Sequence, residues 1–185
     1  MTTAWVGIGA NLGDPERVVR AAIRALGELG AVCASSLYRT EPQGDANQPW
    51  FVNAVVGLES DLAPEELLKR LQELERAAGR VRAGPHWGPR ELDLDLLLVG
   101  DAVLETPDLC LPHPRFHERR FVLEPLAEIA PELRDPRSGK SALELLRGLD
   151  DPLRSDRILD GSSKYNANGE EGGSSPQGGS VARRS

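Results

Sequence analysis

The stretch Trp87-Gly-Pro-Arg-Glu-Leu-Asp-Leu-Asp-Leu-Leu-Leu-Val99 decides how the rest of this chain is interpreted. It joins a glycine- and proline-containing loop to a segment in which apolar and acidic residues alternate from Leu92 to Leu96. A period of two predicts a β-strand whose leucines face one side and whose Asp93 and Asp95 face the other. Residues two apart on one strand face lie about 7 Å apart along the backbone. The two carboxylates can therefore converge on one hard cation.

Magnesium suits such a carboxylate pair, because it takes few protein ligands and completes its octahedron with water and substrate phosphate oxygens. Arginine presents planar donors that match phosphate, and Arg80, Arg82 and Arg90 lie immediately upstream. Together these residues predict phosphoryl chemistry on a nucleotide. The alternative is a solvated strand face, but aspartate has poor strand propensity and two adjacent like charges require a compensating partner.

Length, composition and charge limit the class of protein. A chain of 185 residues suits one domain, and a hydrophobic fraction of 39% with few aromatics predicts an aliphatic core. The formal net charge of −7 argues against nucleic-acid or anionic membrane partners. The sequence contains no apolar run of about 18 residues and no charged-then-apolar start, so we expect neither a membrane-spanning segment nor a secretory leader. Two cysteines form no disulfide framework, so we expect a cytoplasmic protein. We also expect it to be a monomer.

Apolar periodicity and turn residues predict strands alternating with helices. The predicted strands are residues 4–9, 32–40, 51–59, the segment of Asp93 and Asp95, and a short piece around Val103 and Leu104; the predicted helices begin at Pro15 behind an Asp14 cap and span 64–78, 119–129 and 142–149, the last behind a Ser141 cap. Residues 1–154 form the predicted catalytic domain. Glycine and serine make up nearly half of residues 161–185, and we expect residues 155–185 to be a disordered tail.

Two loops and two polar positions remain candidates for function. Residues 41–50 and 80–90 lack periodicity, and long loops in compact domains tend to be functional. Asn53 is the polar residue of an apolar strand; its amide could satisfy backbone groups or contact the edge of a heterocycle, and the sequence leaves both open. His113 and His117 are four apart, but prolines flank His113 and disfavour a helix there, so we do not expect zinc.

Several ordered segments share one family pattern. They are Trp-Gly-Pro-Arg-x-Leu-Asp-Leu-Asp, Gly-Ala-Asn-Leu-Gly-Asp near the start, Tyr38-Arg-Thr40, Gln48-Pro49, Phe51-Val-Asn53, Leu-Ala-Pro-Glu-Glu-Leu-Leu near residue 65, Gly79-Arg-Val-Arg82, Pro112-His113 and Ile129-Ala-Pro-Glu-Leu133. Over residues 3–136 the chain resembles the 6-hydroxymethyl-7,8-dihydropterin pyrophosphokinases of folate biosynthesis. Their order and compatible spacing make this resemblance more specific than one motif.

The resemblance implies a fold and a reaction. The fold is α+β, a ferredoxin-like sandwich with a mostly antiparallel sheet and helices on both faces. In the reaction, the hydroxymethyl oxygen of the reduced pterin attacks the β-phosphorus of ATP and gives the pterin diphosphate and AMP. Asp93 and Asp95 match the aspartates that bind magnesium, with two Mg²⁺ ions expected on the ATP phosphates. ATP and 6-hydroxymethyl-7,8-dihydropterin are the expected partners.

The resemblance also implies roles for individual residues. Arg80 and Arg90 are the expected catalytic clamps, beside the catalytic and metal-binding Asp93 and Asp95. The pterin-binding positions are Thr40, Gln43, Phe51, Asn53, Trp87 and Phe121, and the ATP-binding positions are Gln72, Glu75, Arg82, His113 and Arg119. The chain departs from the family pattern at Phe51, where tyrosine is frequent, at Ala83 and Pro114 near the nucleotide, and at Arg120, where glycine can occur. These departures bear on affinity rather than on the reaction.

Two functions of other classes compete with this one. A catalytically inactive module of the same fold would bind ATP with magnesium and release no AMP. An RNA-binding sheet would need paired aromatics on central strands and a basic face. The carboxylate pair and the negative net charge argue against RNA binding.

Overall fold

An antiparallel sheet carries five of the candidate residues, namely Thr40, Phe51, Asn53, Asp93 and Asp95. The structure is a computed structural model that describes residues 1–43, 47–79 and 91–159. The strands are β1 (Thr2–Ala10), β2 (Val32–Ala34), β3 (Tyr38–Thr40), β4 (Phe51–Ser60), β5 (Asp93–Val99), β6 (Leu104–Glu105), β7 (Cys110–Leu111) and β8 (Ser155–Arg157). The helices are α1 (Pro15–Gly27), α2 (Pro64–Ala77), α3 (Arg120–Ile129) and α4 (Ala142–Arg147), with a 3-10 turn at Phe116–Glu118.

The order of strands confirms the predicted fold class. The main sheet runs β5-β1-β4-β3-β8, with β2 also paired to β4 and with β6 and β7 forming a separate pair. Every pairing in it is antiparallel. When β2 and β3 are counted as one interrupted strand, the chain from β1 to β5 follows the βαββαβ order of a ferredoxin-like sandwich.

The sheet has two faces with separate cores, so helices cover both faces as predicted. Helices α1 and α2 pack on one face around residues such as Val6, Val56 and Leu96. Helices α3 and α4 pack on the other around Trp5 and Leu97. Strand alternation assigns Leu92, Leu94 and Leu96 to the first core. Asp93 and Asp95 are half-buried on the opposite side of β5, as the pattern predicted.

The second strand is interrupted where the sequence predicted a continuous one over residues 32–40. Strand β2 ends at Ala34 and β3 begins at Tyr38. Ser35 N donates to Val55 O at 2.9 Å, and Val55 N donates back to the Ser35 hydroxyl at 3.0 Å. A side-chain oxygen thus replaces a backbone carbonyl in the ladder, which is how serine competes with regular pairing. Periodicity does not reveal this competition.

Strand β8 continues the sheet beyond the predicted boundary at residue 154. Ser155–Arg157 pairs with β3, with Arg157 opposite Tyr38. Arg157 also lies 2.6 Å from Glu128 of α3, and Tyr38 donates to the same carboxylate at 3.1 Å. These contacts hold Ser155–Arg157 against the sheet and α3, although composition assigned these polar residues to the tail. Residues 160–185, the rest of the predicted tail, lie outside the described residues.

Tyr38 provides a pH-dependent test of this fastening. Burial raises the pKa of Tyr38 from 10.0 to about 12, with the negative charge and hydrogen bond of Glu128 adding to the effect. Because the folded state holds the phenol proton more tightly, this contribution to the free energy of unfolding is complete below pH 10 and is lost as pH rises towards about 12. The chain has 2 tyrosines, so the Tyr165→Phe variant retains Tyr38 as its single tyrosine. We expect its tyrosinate absorbance to titrate near pH 12.

The matched control for the Tyr38 titration is Glu128→Gln in the same background. Removing the negative charge while keeping a hydrogen-bond acceptor should move the midpoint towards the ordinary tyrosine value. An identical midpoint in both proteins would contradict the role assigned to Glu128.

Helix starts follow the predicted capping residues. The Asp14 side chain accepts from Arg17 N at 3.1 Å, with Pro15 at the first helical position. Ser141 caps α4 and forms a capping box with Glu144; α4 ends at Arg147, two residues before the predicted end. Among residues 1–43, 47–79 and 91–159, no helix has the length and apolar character needed to cross a membrane.

Candidate active site

The predicted amide and the predicted carboxylates belong to one row across three strands. Gly9 of β1 pairs with Asn53 of β4 on one side and with Asp93 of β5 on the other. Asp95 follows two residues later on the same face of β5. Because Gly9 carries no side chain, the Asn53 carboxamide can lie against the Gly9 backbone, on the sheet surface next to Asp93. This row forms the floor of the candidate site.

Asp95 is contacted by two cationic or polar groups from the chain after β7. Arg119 NH1 lies 3.2 Å from Asp95 Oδ2, and His113 Nε2 lies 4.0 Å from the same oxygen. Arg119 retains 12% of its side-chain exposure and Asp95 retains 34%. The Arg119 guanidinium also lies 5.5 Å from the centre of the Phe121 ring. Three predicted site residues, Asp95, Arg119 and His113, are therefore brought together.

Arg119 has hydrogen-bonding capacity left over in this arrangement. Its Nε atom is buried and has no partner, while its NH1 atom contacts Asp95. A buried donor without a partner is uncommon and requires an explanation. An anionic ligand bound between Arg119 and the carboxylate strand would supply one.

His113 is oriented by two backbone contacts. Its own N–H donates to Leu97 O at 2.8 Å, and its Nδ1 accepts from Arg115 N at 3.2 Å. Burial lowers the pKa of His113 from its ordinary value, although the charge of Asp95 acts in the opposite direction. In the neutral ring, acceptance at Nδ1 places the proton on Nε2, the atom nearest Asp95. His113 is thus arranged as a hydrogen-bond donor rather than a base.

The other end of the row holds the residues expected to bind a flat ligand. Asn53 Nδ2 donates to Thr40 Oγ1 at 2.7 Å, and both residues are buried. The Asn53 amide therefore bonds to the Thr40 side chain, and this contact fixes the place of the carboxamide. Gln43 Oε1 is buried and has no hydrogen-bond partner, so this oxygen can accept a hydrogen bond from a ligand. Phe51 is half-buried next to them on β4.

Glu75 has a structural contact that sequence reasoning did not foresee. Its side chain is buried, with 2% exposure, and Oε1 accepts from Leu94 N at 2.8 Å. Strand β5 is the edge of the sheet, and Leu94 lies between Asp93 and Asp95. Helix α2 therefore supports the carboxylate strand from its outer edge. Gln72 lies one turn earlier on α2 and is half-buried.

This contact predicts different outcomes for two substitutions of Glu75. Glu75→Met removes the acceptor and leaves the Leu94 N–H unsatisfied, so we expect the free energy of unfolding to fall by about 2 kcal/mol. Glu75→Gln keeps a carbonyl oxygen at the same place, so the loss should be below about 1 kcal/mol. Urea denaturation of both variants measures the difference. Equal losses would contradict a role for the acceptor atom.

Asn11 is a further residue that the sequence analysis did not assign. Its side chain is 3% exposed, and Nδ2 donates at 3.1 Å to both Gln48 Oε1 and Pro49 O. It thus ties the turn after β1 to the segment that leads into β4. Both segments belong to the family pattern, so Asn11 and Gln48 could have been selected from the sequence. The pattern could not show that the two segments are in contact.

Arg120, a departure from the family pattern, has a structural explanation. Its backbone N–H donates to Asp151 Oδ2 at 3.3 Å and its NH2 group donates to Asp151 O at 3.0 Å. NH1 also lies 3.2 Å from Glu124. Arg120 therefore fastens the start of α3 to the chain beyond α4.

Of the other departures from the family pattern, Pro114 is exposed. The predicted site residues Arg80, Arg82, Trp87 and Arg90 lie outside the described residues, and so does Ala83.

The donor set of the site fits magnesium. Among the described ranges no group of three or more His, Cys, Asp or Glu side chains is arranged to hold a metal ion. A cation between Asp93 and Asp95 would have these two carboxylates as ligands and would take others from water and substrate. That is the coordination magnesium commonly adopts with nucleotide phosphates.

Comparison with known proteins identifies a family and several relatives. A family model described as 7,8-dihydro-6-hydroxymethylpterin-pyrophosphokinase (HPPK) matches residues 5–131. The chain is 47% identical over 145 residues to a 2-amino-4-hydroxy-6-hydroxymethyldihydropteridine pyrophosphokinase of Pseudomonas aeruginosa, covering 77% of this chain and 88% of the relative. It is 43% identical over 133 residues to the Bacillus subtilis protein of the same name, covering 70% and 79%.

Solved structures show the same fold. A crystal structure of wild-type Plasmodium falciparum HPPK-DHPS with SDX-DHP matches with a TM-score of 0.60 and 15% identity, over 80% of this chain and 43% of that chain. An HPPK-DHPS structure in complex with substrates matches with a TM-score of 0.63 and 13% identity, over 80% and 45%. This chain thus spans less than half of those solved chains, and the likeness concerns the fold alone.

Proposed function

Because the chain belongs to the 7,8-dihydro-6-hydroxymethylpterin-pyrophosphokinase family, we propose that the family's reaction takes place over the row formed by Asn53, Gly9 and Asp93. The enzyme transfers the pyrophosphoryl group of ATP to 6-hydroxymethyl-7,8-dihydropterin in folate biosynthesis, with ATP as co-substrate. The observation that supports the proposal is this register, which puts the Asn53 amide and the carboxylates of Asp93 and Asp95 on one face of three adjacent strands.

In this proposal Asp93 and Asp95 hold magnesium on the phosphates of ATP. The ion would neutralise charge that develops on the phosphates and lower the pKa of the attacking alcohol. Phosphoryl transfer depends mainly on positioning and on charge stabilisation. The contribution of the protein is then a rigid carboxylate strand, supported at its edge through the contact between Glu75 and Leu94 N.

Arg119 and His113 bind the phosphates in the same scheme. Arg119 is partly buried beside Asp95 and has an unpartnered Nε, so its planar fork is available to a phosphate. His113 presents Nε2–H towards the same region and needs no proton-accepting role. By family resemblance, Gln72 and Arg82 also contact ATP, and Arg80 and Arg90 clamp the transition state from the loop. Glu75, which the resemblance also assigned to ATP, is buried and acts through its contact with Leu94 N.

The pterin occupies the other end of the row. Asn53 reads its amide edge, with Thr40 fixing the carboxamide, and the buried Gln43 Oε1 accepts a donor from the ligand. Phe51, Phe121 and Trp87 supply flat apolar surfaces for its rings, as aromatic side chains do for planar ligands. The departure at Phe51 removes a hydroxyl group and leaves the ring.

Three finer points belong to the same proposal. Two Mg²⁺ ions take part, and Mn²⁺ binding in the presence of a non-hydrolysable ATP analogue would count them. The protein is a monomer of 20.0 kDa, which sedimentation analysis would test. It acts in the cytoplasm without nucleic-acid or membrane partners, in keeping with a formal net charge of −7.

The test of the function is incubation with ATP, Mg²⁺ and 6-hydroxymethyl-7,8-dihydropterin, with nucleotides separated by chromatography. We expect AMP and pterin diphosphate in equal amounts, and no AMP when the pterin is omitted. ADP in place of AMP would contradict transfer of a pyrophosphoryl group. Binding of ATP without release of AMP would identify an inactive binding module.

A further inference from the structure

We propose that Gly9 is a specificity-determining residue for the pterin, because the absence of a Cβ atom at Gly9 gives the Asn53 carboxamide its place and orientation. The inference rests on the proposed function, in which Asn53 contacts the pterin edge. Gly9 itself makes no side-chain contact with a ligand. It acts through Asn53 and is therefore a positioning residue.

The close approach of Asn53 to Gly9 is the central observation. A Cβ atom built on Gly9 would lie 2.8 Å from Asn53 Oδ1 and 3.9 Å from Asn53 Cγ. On its other side the same carboxamide donates from Nδ2 to Thr40 Oγ1 at 2.7 Å. Asn53 is 5% exposed, so little free space surrounds it. The carboxamide is thus confined between the Gly9 backbone and the Thr40 hydroxyl.

A methyl group at position 9 would displace the amide and not the backbone. The atom it would meet is the end of the Asn53 side chain, which can turn about its own bonds. Gly9 lies within the regular register of β1, and its φ is not in the left-handed region, so alanine can adopt the same backbone conformation. We therefore expect Gly9→Ala to fold and to bind nucleotide, with the Asn53 carboxamide turned away from its place.

The orientation of the carboxamide matters because of what a pterin presents. The 2-amino-4-hydroxy ring edge carries donors and an acceptor side by side, and a carboxamide carries both a donor and an acceptor. The two edges pair only when each donor faces an acceptor. A turned carboxamide leaves polar atoms unpaired in a buried site, which is costly. Replacing Gly9 by a residue with a Cβ atom should therefore weaken pterin binding more than nucleotide binding.

Gly7 provides a matched control on the same strand and the same face. The three atoms nearest to a Cβ atom at Gly7 would all belong to the side chain of Leu97, at 3.5 to 3.7 Å, which is ordinary van der Waals contact. Leu97 belongs to the core under α3 and α4. Gly7→Ala and Gly9→Ala are thus the same chemical change two residues apart. Each glycine pairs with one aspartate of β5, Gly7 with Asp95 and Gly9 with Asp93, and of the two changes Gly9→Ala is the one that requires the Asn53 amide to move.

The experiment measures dissociation constants by calorimetry on the full chain. Pterin binding is measured with 6-hydroxymethylpterin and a non-hydrolysable ATP analogue, and nucleotide binding with the analogue and Mg²⁺ alone. We expect Gly9→Ala to raise the Kd of the pterin about 10-fold and to leave the nucleotide Kd within about twofold. Gly7→Ala should leave both constants within about twofold. Equal effects of the two variants would overturn the proposal.

A double-mutant cycle separates action through Asn53 from a general effect of the methyl group. Asn53→Ala alone should weaken the pterin by about 10-fold or more. In the Asn53→Ala background, adding Gly9→Ala should change the pterin Kd by less than about twofold. A persisting 10-fold effect there would overturn the proposal, and so would a Gly9→Ala chain that does not fold.

The inference and the proposed function fail in different ways. If the unmodified protein binds the pterin and releases no AMP, the function as an enzyme fails, whereas a selective Gly9→Ala effect on pterin Kd would still support the role of Gly9. If the unmodified protein releases AMP and Gly9→Ala binds pterin normally, the function stands and the role of Gly9 is refuted.

Discussion

Asp95→Asn is expected to lower turnover at least ~100-fold, on the order of 3 kcal/mol in the activation barrier. The substitution removes one negative charge from the pair proposed to hold magnesium. Asparagine keeps a carbonyl oxygen where Arg119 NH1 now contacts Asp95 Oδ2 at 3.2 Å, so the packing around position 95 should persist. The rate of AMP release, together with the thermal unfolding midpoint, measures both effects.

The control for this substitution is Asp101→Asn, in the exposed turn that follows β5. It makes the same chemical change near the same strand but away from the row of Asn53, Gly9 and Asp93. We expect wild-type turnover from it. An unchanged rate in Asp95→Asn would remove the metal role of the carboxylate pair, while a low rate with a lost unfolding transition would show a structural effect instead.

Arg119→Ala should lower turnover about 30-fold, or about 2 kcal/mol, and should also strengthen the binding of Mn²⁺ to the ATP-free protein. Without nucleotide, the Arg119 guanidinium neutralises part of the charge of Asp95. Its removal leaves the carboxylate pair more negative and hence more attractive to a cation. It also removes the planar donor proposed to bind phosphate. One substitution is therefore expected to weaken nucleotide binding and to tighten metal binding.

Manganese binding measured by electron paramagnetic resonance tests the second half of this prediction, and nucleotide calorimetry tests the first. Arg137→Ala is the matched control, because Arg137 is an exposed arginine paired with Glu105 at 2.7 Å, away from the candidate site. Arg119→Lys should be intermediate, since lysine keeps the charge but not the fork. Weaker binding of both ligands to Arg119→Ala would contradict the neutralising role.

Much of the fold and part of the site could be predicted from short-range pattern. Alternation over Leu92 to Leu96 placed Asp93 and Asp95 on one strand face, and the structure keeps them there. Capping residues marked the starts of α1 and α4. These features depend on neighbours within a few residues, so periodicity and capping rules are sufficient to predict them.

Contacts between distant segments could not be predicted in this way. Arg119 reaches Asp95 across 24 residues of sequence, and Glu75 reaches Leu94 N across 19. Arg157, placed in the tail by its composition, is held at Glu128. Each of these contacts depends on how helices and strands pack, which no local pattern encodes.

The local order of residues was enough to determine which strand carries the acidic pair, where the helices begin and which family the chain resembles. The packed molecule alone decided that the Asn53 amide lies against Gly9, that Asp95 is paired with Arg119 and that Glu75 supports β5. The reason is physical. Backbone periodicity is set by bonded neighbours, whereas distances between side chains on different elements are set only once the sheet and its helices bury their apolar faces together.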